Sequence, residues 1–479
     1  MVMPRLSTAL LAAAVMVAAS APAPANARSG GQPSPRATER AENPYAGAAG
    51  YRNADWAARV METAAGTADP VAAARMTAVA DQPTAVWLRS ISEVGGLRRH
   101  LDAAVAQQSR EGRPVVLTLV LHNLPNRECG RRAGSELRIT DDGLARYRTE
   151  YVDPIAATLA APEYAGLRIA AVVEPESISR LIRFTGPFPD AHQDCEEAER
   201  TGAYADGIAY ALERLQAVRT VYTYLDIGSA ATLGWEVTQI ELLDRLVAIA
   251  ARTPAGLGGV DGFASNVADY VPDDEPFIDL TATIAGASLR WTRFYDWTLY
   301  ADETDYTTAI RAALVARGFD ERVGILTDTS RNGWGGPARP TAPSRSTSVD
   351  TYANESRMDR RLTRSYHWCN QAGAGLGARP AAGTVPGLHA YAWIKPPGES
   401  DGWGEVPAGA PRPEHYEQYC DPNTSVPCCR GSAWRSNALP GAPPAGGWHR
   451  EQFVQLVANA YPPVASPPAG SPGAGKRGR

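Results

Sequence analysis

The stretch AVVEPESISR, Ala171 to Arg180, ends an apolar run on two carboxylates, Glu174 and Glu176, set either side of Pro175. Similar groups close other apolar runs: Asn123 with Glu128 beyond it, Asp226, Asp328, and Lys395 followed by Glu399 and Asp401. One acidic strand end is usually a turn residue, but acids on several separate strand ends suggest a shared cleft. Converging carboxyls without paired histidines or a nucleophile elbow suit acid/base hydrolysis of a glycosidic bond. One protonated carboxyl gives its proton to the leaving oxygen, while others stabilise developing positive charge or activate water. Burial and a neighbouring negative charge hold one of them protonated.

The runs that must position these groups are residues 114–123, 167–174, 219–226, 259–267, 322–328 and 387–395, each apolar on both faces and read as strands. Helical patterns lie between them, such as 140–161, with Thr140 or Asp141 as its cap, and 205–218. Strands buried on both faces and alternating with helices predict a parallel sheet. So many units in one continuous stretch favour a closed (β/α) barrel, whose C-terminal strand ends form the functional face.

The 479 residues carry 44% hydrophobic and 21% charged side chains, a balance that suits a packed core. A net charge of −5 gives no reason to expect nucleic acid or an anionic membrane as partner. Residues 1–27, with Arg5, an apolar run from Ala9 to Ala19 and then Ala25-Asn26-Ala27, read as a secretory signal; the run is too short for a membrane anchor. A polar leader (28–42), a single catalytic domain (43–463) and a Pro/Gly-rich disordered tail (464–479) follow. The expected product is a secreted, extracellular monomer with no membrane contact after cleavage. Secretion permits disulfides among Cys129, Cys195, Cys369, Cys420, Cys428 and Cys429. No histidines or cysteines stand at metal-ligand spacing, so neither metal nor other cofactor is expected. The Gly-rich GAGLG (373–377) lacks the strand–helix context of a dinucleotide site.

Taken together, NPYAG (43–47), LPNREC (124–129), LRIAAVVEPES (167–177), YLDIG (224–228), DTSRNGWGG (328–336), WCNQAGAGLG (368–377) and KPPGESDG (395–402) resemble the glycoside hydrolase family 6 cellulases, over roughly residues 43–462. The resemblance implies an α/β fold, a distorted seven-stranded parallel (β/α) barrel, TIM-like. It also implies inverting cleavage of β-1,4-glucan, and the long segment 396–450 resembles the exo-acting, cellobiohydrolase-like bacterial branch.

By position, Glu176 in EPES stands where the family has the general acid Asp of EPDS. Glu128 in REC stands for the second Asp of RDC, which tunes the acid and helps hold the water. His122 replaces a tyrosine beneath the distorted sugar; the alternative reading is a strand-end histidine bonded to backbone. Thr232 and Ser229 replace an expected tryptophan and histidine. Asp226, Trp235, Trp368, Lys395, Glu399 and Asp401 match, and Asp401 aligns with the residue proposed as base, with water-relayed transfer as the rival. Tyr51 is a candidate stacking platform, and Arg331 with Asn332 should order the loop after Asp328. Cys129–Cys195 and Cys369–Cys420 match the family's loop disulfides, while Cys428-Cys429 is either a vicinal pair or two thiols. Lengthening both acids by one methylene and losing the platform at Thr232 points to a β-glucan other than crystalline cellulose. The alternative to an enzyme is an impaired relative that binds β-glucan.

Overall fold

Six apolar runs fold as the expected strands, each shorter than its pattern and β6 and β11 by about half: β3 (Val115–Leu121), β4 (Arg168–Val173), β5 (Val221–Asp226), β6 (Gly262–Ser265), β9 (Gly324–Asp328) and β11 (Leu388–Ala392). The computed structural model describes residues 40–127, 129–130, 134–186, 191–406, 416–428 and 432–465. The signal, most of the leader, the tail beyond 465, Glu128 and Cys429 lie outside the described residues. Three short strands join the main sheet: β1 (Ala49–Gly50), β2 (Val86–Leu88) and β10 (Ala381–Ala382). Outside it, β7 (Thr283–Ile284) pairs with β8 (Ala287–Ser288), and β12 (Ser425–Cys428) with β13 (Ser432–Arg435).

The sheet has nine strands in the order β1-β3-β4-β5-β6-β9-β11-β10, with β2 also on β3. This corrects the expectation of seven parallel strands. β1 pairs with the first half of β3 and β2 with its second half, so two short strands share one edge. β10 runs antiparallel to β11. The result is a mixed, nearly closed barrel with helices around it. Across the seam a parallel bridge joins Thr84, just before β2, to Trp393, just after β11, with the Ala85 amide donating to the Trp393 carbonyl at 3.1 Å.

Strand periodicity sorts the core into two layers. Val116 and Val120 of β3, Ala170 and Val172 of β4, and Tyr222 and Tyr224 of β5 fill the barrel. Their neighbours Leu117, Leu119, Ile169, Val173, Val221 and Leu225 pack outward against the helices. Continuing the count places 226 on the inward face at the C-terminal end of β5, whereas at 174 a left-handed backbone breaks the alternation and the carboxylate meets Tyr147 of the outer layer. No helix among the described residues is long and apolar enough to cross a membrane.

The helix expected over 140–161 is interrupted. Gly143–Arg146 is α, Tyr147–Val152 is π, and Asp153–Leu159 is α again. Neither Thr140 nor Asp141 caps it; Asp142 precedes it in a left-handed conformation, with no side-chain cap bond. Pro154 removes one amide from the ladder just after the wide turn. That turn stacks Tyr147 on Tyr151 with ring centroids 5.4 Å apart. The Tyr147 hydroxyl donates to Glu174 at 2.9 Å, and that of Tyr151 to the Leu88 carbonyl at 2.6 Å.

Glu174 is thereby a clamp. Its carboxylate also accepts the amides of Asn123 at 3.0 Å and Leu124 at 3.2 Å, tying the end of β4 to the end of β3. Asp328 does the same from β9, accepting the amides of Ala268, Ser330, Ile394 and Lys395. Burial pushes Glu174 up to about 7 against the pull of these donors. A folded-state value above the unfolded one means that native protein holds the proton longer, so this group's contribution to stability falls as pH rises between about 4 and 7. Glu174→Gln should remove that slope. In urea titrations, wild-type stability minus variant stability should decline across this window and be flat outside it.

Candidate active site

Glu176 reaches its position through an unusual turn. Glu174 and Glu176 both take left-handed backbone conformations, φ 49° and 65°, on either side of Pro175. The chain leaves β4 sharply and enters the helix Ser177–Phe184 directly after Glu176. Non-glycine residues adopt this conformation at a cost on the order of 1 kcal/mol each, so something must hold them there. Part of the restraint is Asp226, whose Oδ2 accepts the Glu176 amide at 3.0 Å and the Gly228 amide at 3.2 Å. The Glu176 carboxylate meets Arg180, one helical turn along: Nη2 donates to Oε2 at 2.7 Å, and Nη1 donates to the Cys129 carbonyl at 3.0 Å. Arg180 is buried, whereas the Glu176 side chain is 24% exposed.

Glu176, Arg180, Asp226 and Trp368 line one cavity of about 220 Å³. Burial pushes Asp226 up to about 7; the Glu176 amide opposes this, and the charges of Glu176 and Asp269 add to it. Ionisation of this carboxyl is thereby delayed toward neutrality. Asp269 lines the same wall, where it accepts the Ser229 hydroxyl at 2.5 Å and Arg361 at 2.6 Å. Thr232 completes a capping box with Ser229 at the start of the helix Ala230–Leu233. Trp368 tilts against Tyr419, with ring centroids 5.9 Å apart, on the same cavity.

Asp401 is placed differently. Arg331 Nη1 lies 2.7 Å from both of its oxygens, the Tyr270 hydroxyl and the Asn370 amide donate at 3.0 and 2.9 Å, and Lys395 Nζ stands 3.9 Å away. Both members of the Arg331–Asp401 pair are buried. Arg331 also bonds the Ala268 carbonyl, and Asn332 the Val271 carbonyl at 3.1 Å, so both order this loop. Lys395 is pushed down to about 8 by burial, and Asp401 opposes the shift.

A second cavity, of about 440 Å³, holds Glu399, Trp87, Trp56 and Trp448. Glu399 is ion-paired with Arg89 there. His122 packs its ring edge-on to Trp87, with centroids 5.5 Å apart. Trp235 is half-buried at the start of the helix Glu236–Ala250, and its Nε1 donates to the Asp296 carbonyl at 2.7 Å. Tyr51 departs from the sequence reading: it is only 3% exposed, with its hydroxyl 3.1 Å from His100 Nδ1, so its face is not open to a sugar. Cys129–Cys195 and Cys369–Cys420 are bonded. Glu128 lies outside the described residues, next to Cys129. Arg180 and Asp269 were not singled out from sequence. The i+4 spacing of Arg180 from Glu176 was a readable signal, whereas Asp269 follows the strand pattern of 259–267 without any mark of its own.

The family model for Glycosyl hydrolases family 6 matches residues 45–460. The chain belongs to this family. It is 44% identical over 438 residues to Exoglucanase A of Cellulomonas fimi, an alignment covering 88% of this chain and 49% of that protein. The chain thus spans about half the length of that relative. It is 30% identical over 430 residues to 1,4-beta-D-glucan cellobiohydrolase C of Emericella nidulans, covering 88% of this chain and 79% of that one. The catalytic domain of Cellulomonas fimi Cel6B superposes with a TM-score of 0.84 at 43% identity, covering 90% of this chain and 98% of that one.

The geometry of Asp401 makes a separable prediction. Removing a buried partner leaves Arg331 uncompensated, so Asp401→Ala should lose about 3–5 kcal/mol of stability in urea melts. Unchanged stability would mean that the ion pair is not formed in solution.

Proposed function

We propose that this chain is a secreted glycoside hydrolase that cleaves β-1,4-glucosidic bonds of cellulose or a related β-glucan with inversion. Glu176 is the proton donor. The observation that carries this reading is the Glu176–Asp226 contact on the cavity wall: Glu176 is held through its amide at the end of β4, beside a second carboxyl whose ionisation burial delays to about 7. Glu176 delivers its proton to the leaving oxygen. Asp226, once ionised, faces the positive charge that develops on the sugar.

Asp401 already accepts from Arg331, Tyr270 and Asn370. With its oxygens taken up by these donors, Asp401 has little room to receive a further proton directly, which favours water-relayed proton removal. Trp368, on the same cavity as Glu176, suits stacking of a glucose ring; Lys395, Glu399 and Trp235 contribute further along the chain of sugars. Exo action is supported by the names of the relatives, an exoglucanase and a cellobiohydrolase, and by the disulfide Cys369–Cys420, which staples the segment beyond Lys395.

Product release from cellohexaose and from mixed-linkage β-glucan tests this. Glu176→Gln should lower kcat by about 10²–10⁴-fold, the usual worth of a positioned acid. Glu176→Asp, shorter by one carbon, should retain turnover at a reduced rate. Full activity in Glu176→Gln would overturn the assignment. A guanidinium beside a carboxylate favours its ionised form, so Arg180→Gln should move the alkaline limb of the kcat/KM profile to higher pH. An unmoved limb would show that Arg180 does not set the charge of the acid.

A further inference from the structure

The segment SLRWTRFYDWTL, residues 288–299, packs against the outer side of the cavity wall and distributes its large side chains in an unexpected way. Leu289, Phe294 and Tyr295 are buried in a small core of their own. The two larger rings, Trp291 and Trp297, are turned outward, 53% and 47% exposed. They lie side by side, with centroids 5.3 Å apart and planes at 42°. Burying an indole is among the largest hydrophobic gains a side chain offers, so two neighbouring exposed tryptophans on an anchored segment mark a contact surface.

The segment is fixed where they project. Asp296 and Trp297 occupy consecutive left-handed conformations, φ 42° and 69°. The Trp297 amide donates to the Arg290 carbonyl at 2.8 Å, and Arg290 returns bonds to the carbonyls of Trp297 and Thr298. Thr298 is buried against the carbonyls of Ala230 and Gly234, and the Leu299 amide donates to Gly234 at 2.8 Å. Strain on a tryptophan, sustained by this many bonds, places its ring rather than relaxing it.

We propose that Trp291 and Trp297 form a second sugar-stacking platform, outside the catalytic cavity, that holds a β-glucan chain. Continuity with the site selects this occupant. The Asp296 carbonyl carries the Nε1 of Trp235, and the turn Ala230–Gly234 that supports Thr298 carries Thr232 of the cavity wall on its other side. The apolar faces of a β-glucan ring match flat indoles, and the Asp296 side chain between them in sequence is exposed to meet its hydroxyls. The platform rests on the β-glucan reading above, and its ligand is the polymer rather than the scissile unit.

The test separates binding from turnover. In the full chain carrying Glu176→Gln, adsorption to insoluble cellulose should fall about tenfold when Trp291→Ala and Trp297→Ala are combined. Trp291→Tyr with Trp297→Tyr should keep most of the adsorption, which rules out a folding defect as the cause of the loss. In the otherwise wild-type chain, the double alanine variant should hydrolyse cellotetraose at the parental rate. Undiminished adsorption, or an equal loss on cellotetraose, would overturn the platform. Because adsorption is read without catalysis, a platform found in a chain that cleaves nothing would refute the hydrolase reading and leave this one standing.

Discussion

The hydrogen bond from the Glu176 amide to Asp226 joins the two strand ends on which the proposed chemistry depends. Without it, the left-handed turn after β4 would lose a restraint, and the acid would have no fixed relation to the carboxyl on β5. The same bond works against the burial of Asp226, because an amide donor favours the charged form. One contact therefore positions one acid and tunes the other. Arg180 adds a third member by holding the Glu176 carboxylate from the following helix while gripping the carbonyl of Cys129. The disulfide Cys129–Cys195 is thus tied to the acid through a single side chain.

Around this centre the barrel spends buried carboxylates as backbone staples. Glu174 and Asp328 accept amides from adjacent strand ends, and Glu275 accepts the amides of Met358 and Asp359. A buried carboxylate costs less when several N–H groups point at it, and here each one fixes a loop. Arg331 with Asp401, and Arg361 with Asp269 and Asp359, extend the scheme to paired charges. Such pairs add little net stability over an apolar core, yet breaking one is costly, so they fix geometry.

How far the sequence could be read follows from this physics. The six long strands were legible because burial on both faces leaves an unbroken apolar run. β1, β2 and β10 were not, because two or three residues carry no pattern and their pairing is decided by register on β3 and β11. The pattern therefore offers six strands, the family resemblance implies seven, and nine are found. The strand-end acids were visible as a set, but their division of labour was not. Glu174 and Glu176 are two residues apart and chemically alike. What separates them is that the amides of Asn123 and Leu124 and the Tyr147 hydroxyl reach one, whereas an arginine and a cavity face the other. Tyr51 shows the same limit: an aromatic residue type suggests a platform, and only packing against His100 shows that its face is covered.

The central claim is that Glu176 protonates the leaving oxygen, and dependence on the leaving group tests it most directly. An aryl cellotrioside with a dinitrophenolate leaving group needs no proton, whereas cellohexaose does. The account predicts that Glu176→Gln stays within about tenfold of wild type on the aryl substrate while losing about 10³-fold on cellohexaose. Equal losses on the two substrates would contradict it and assign Glu176 to binding or structure instead.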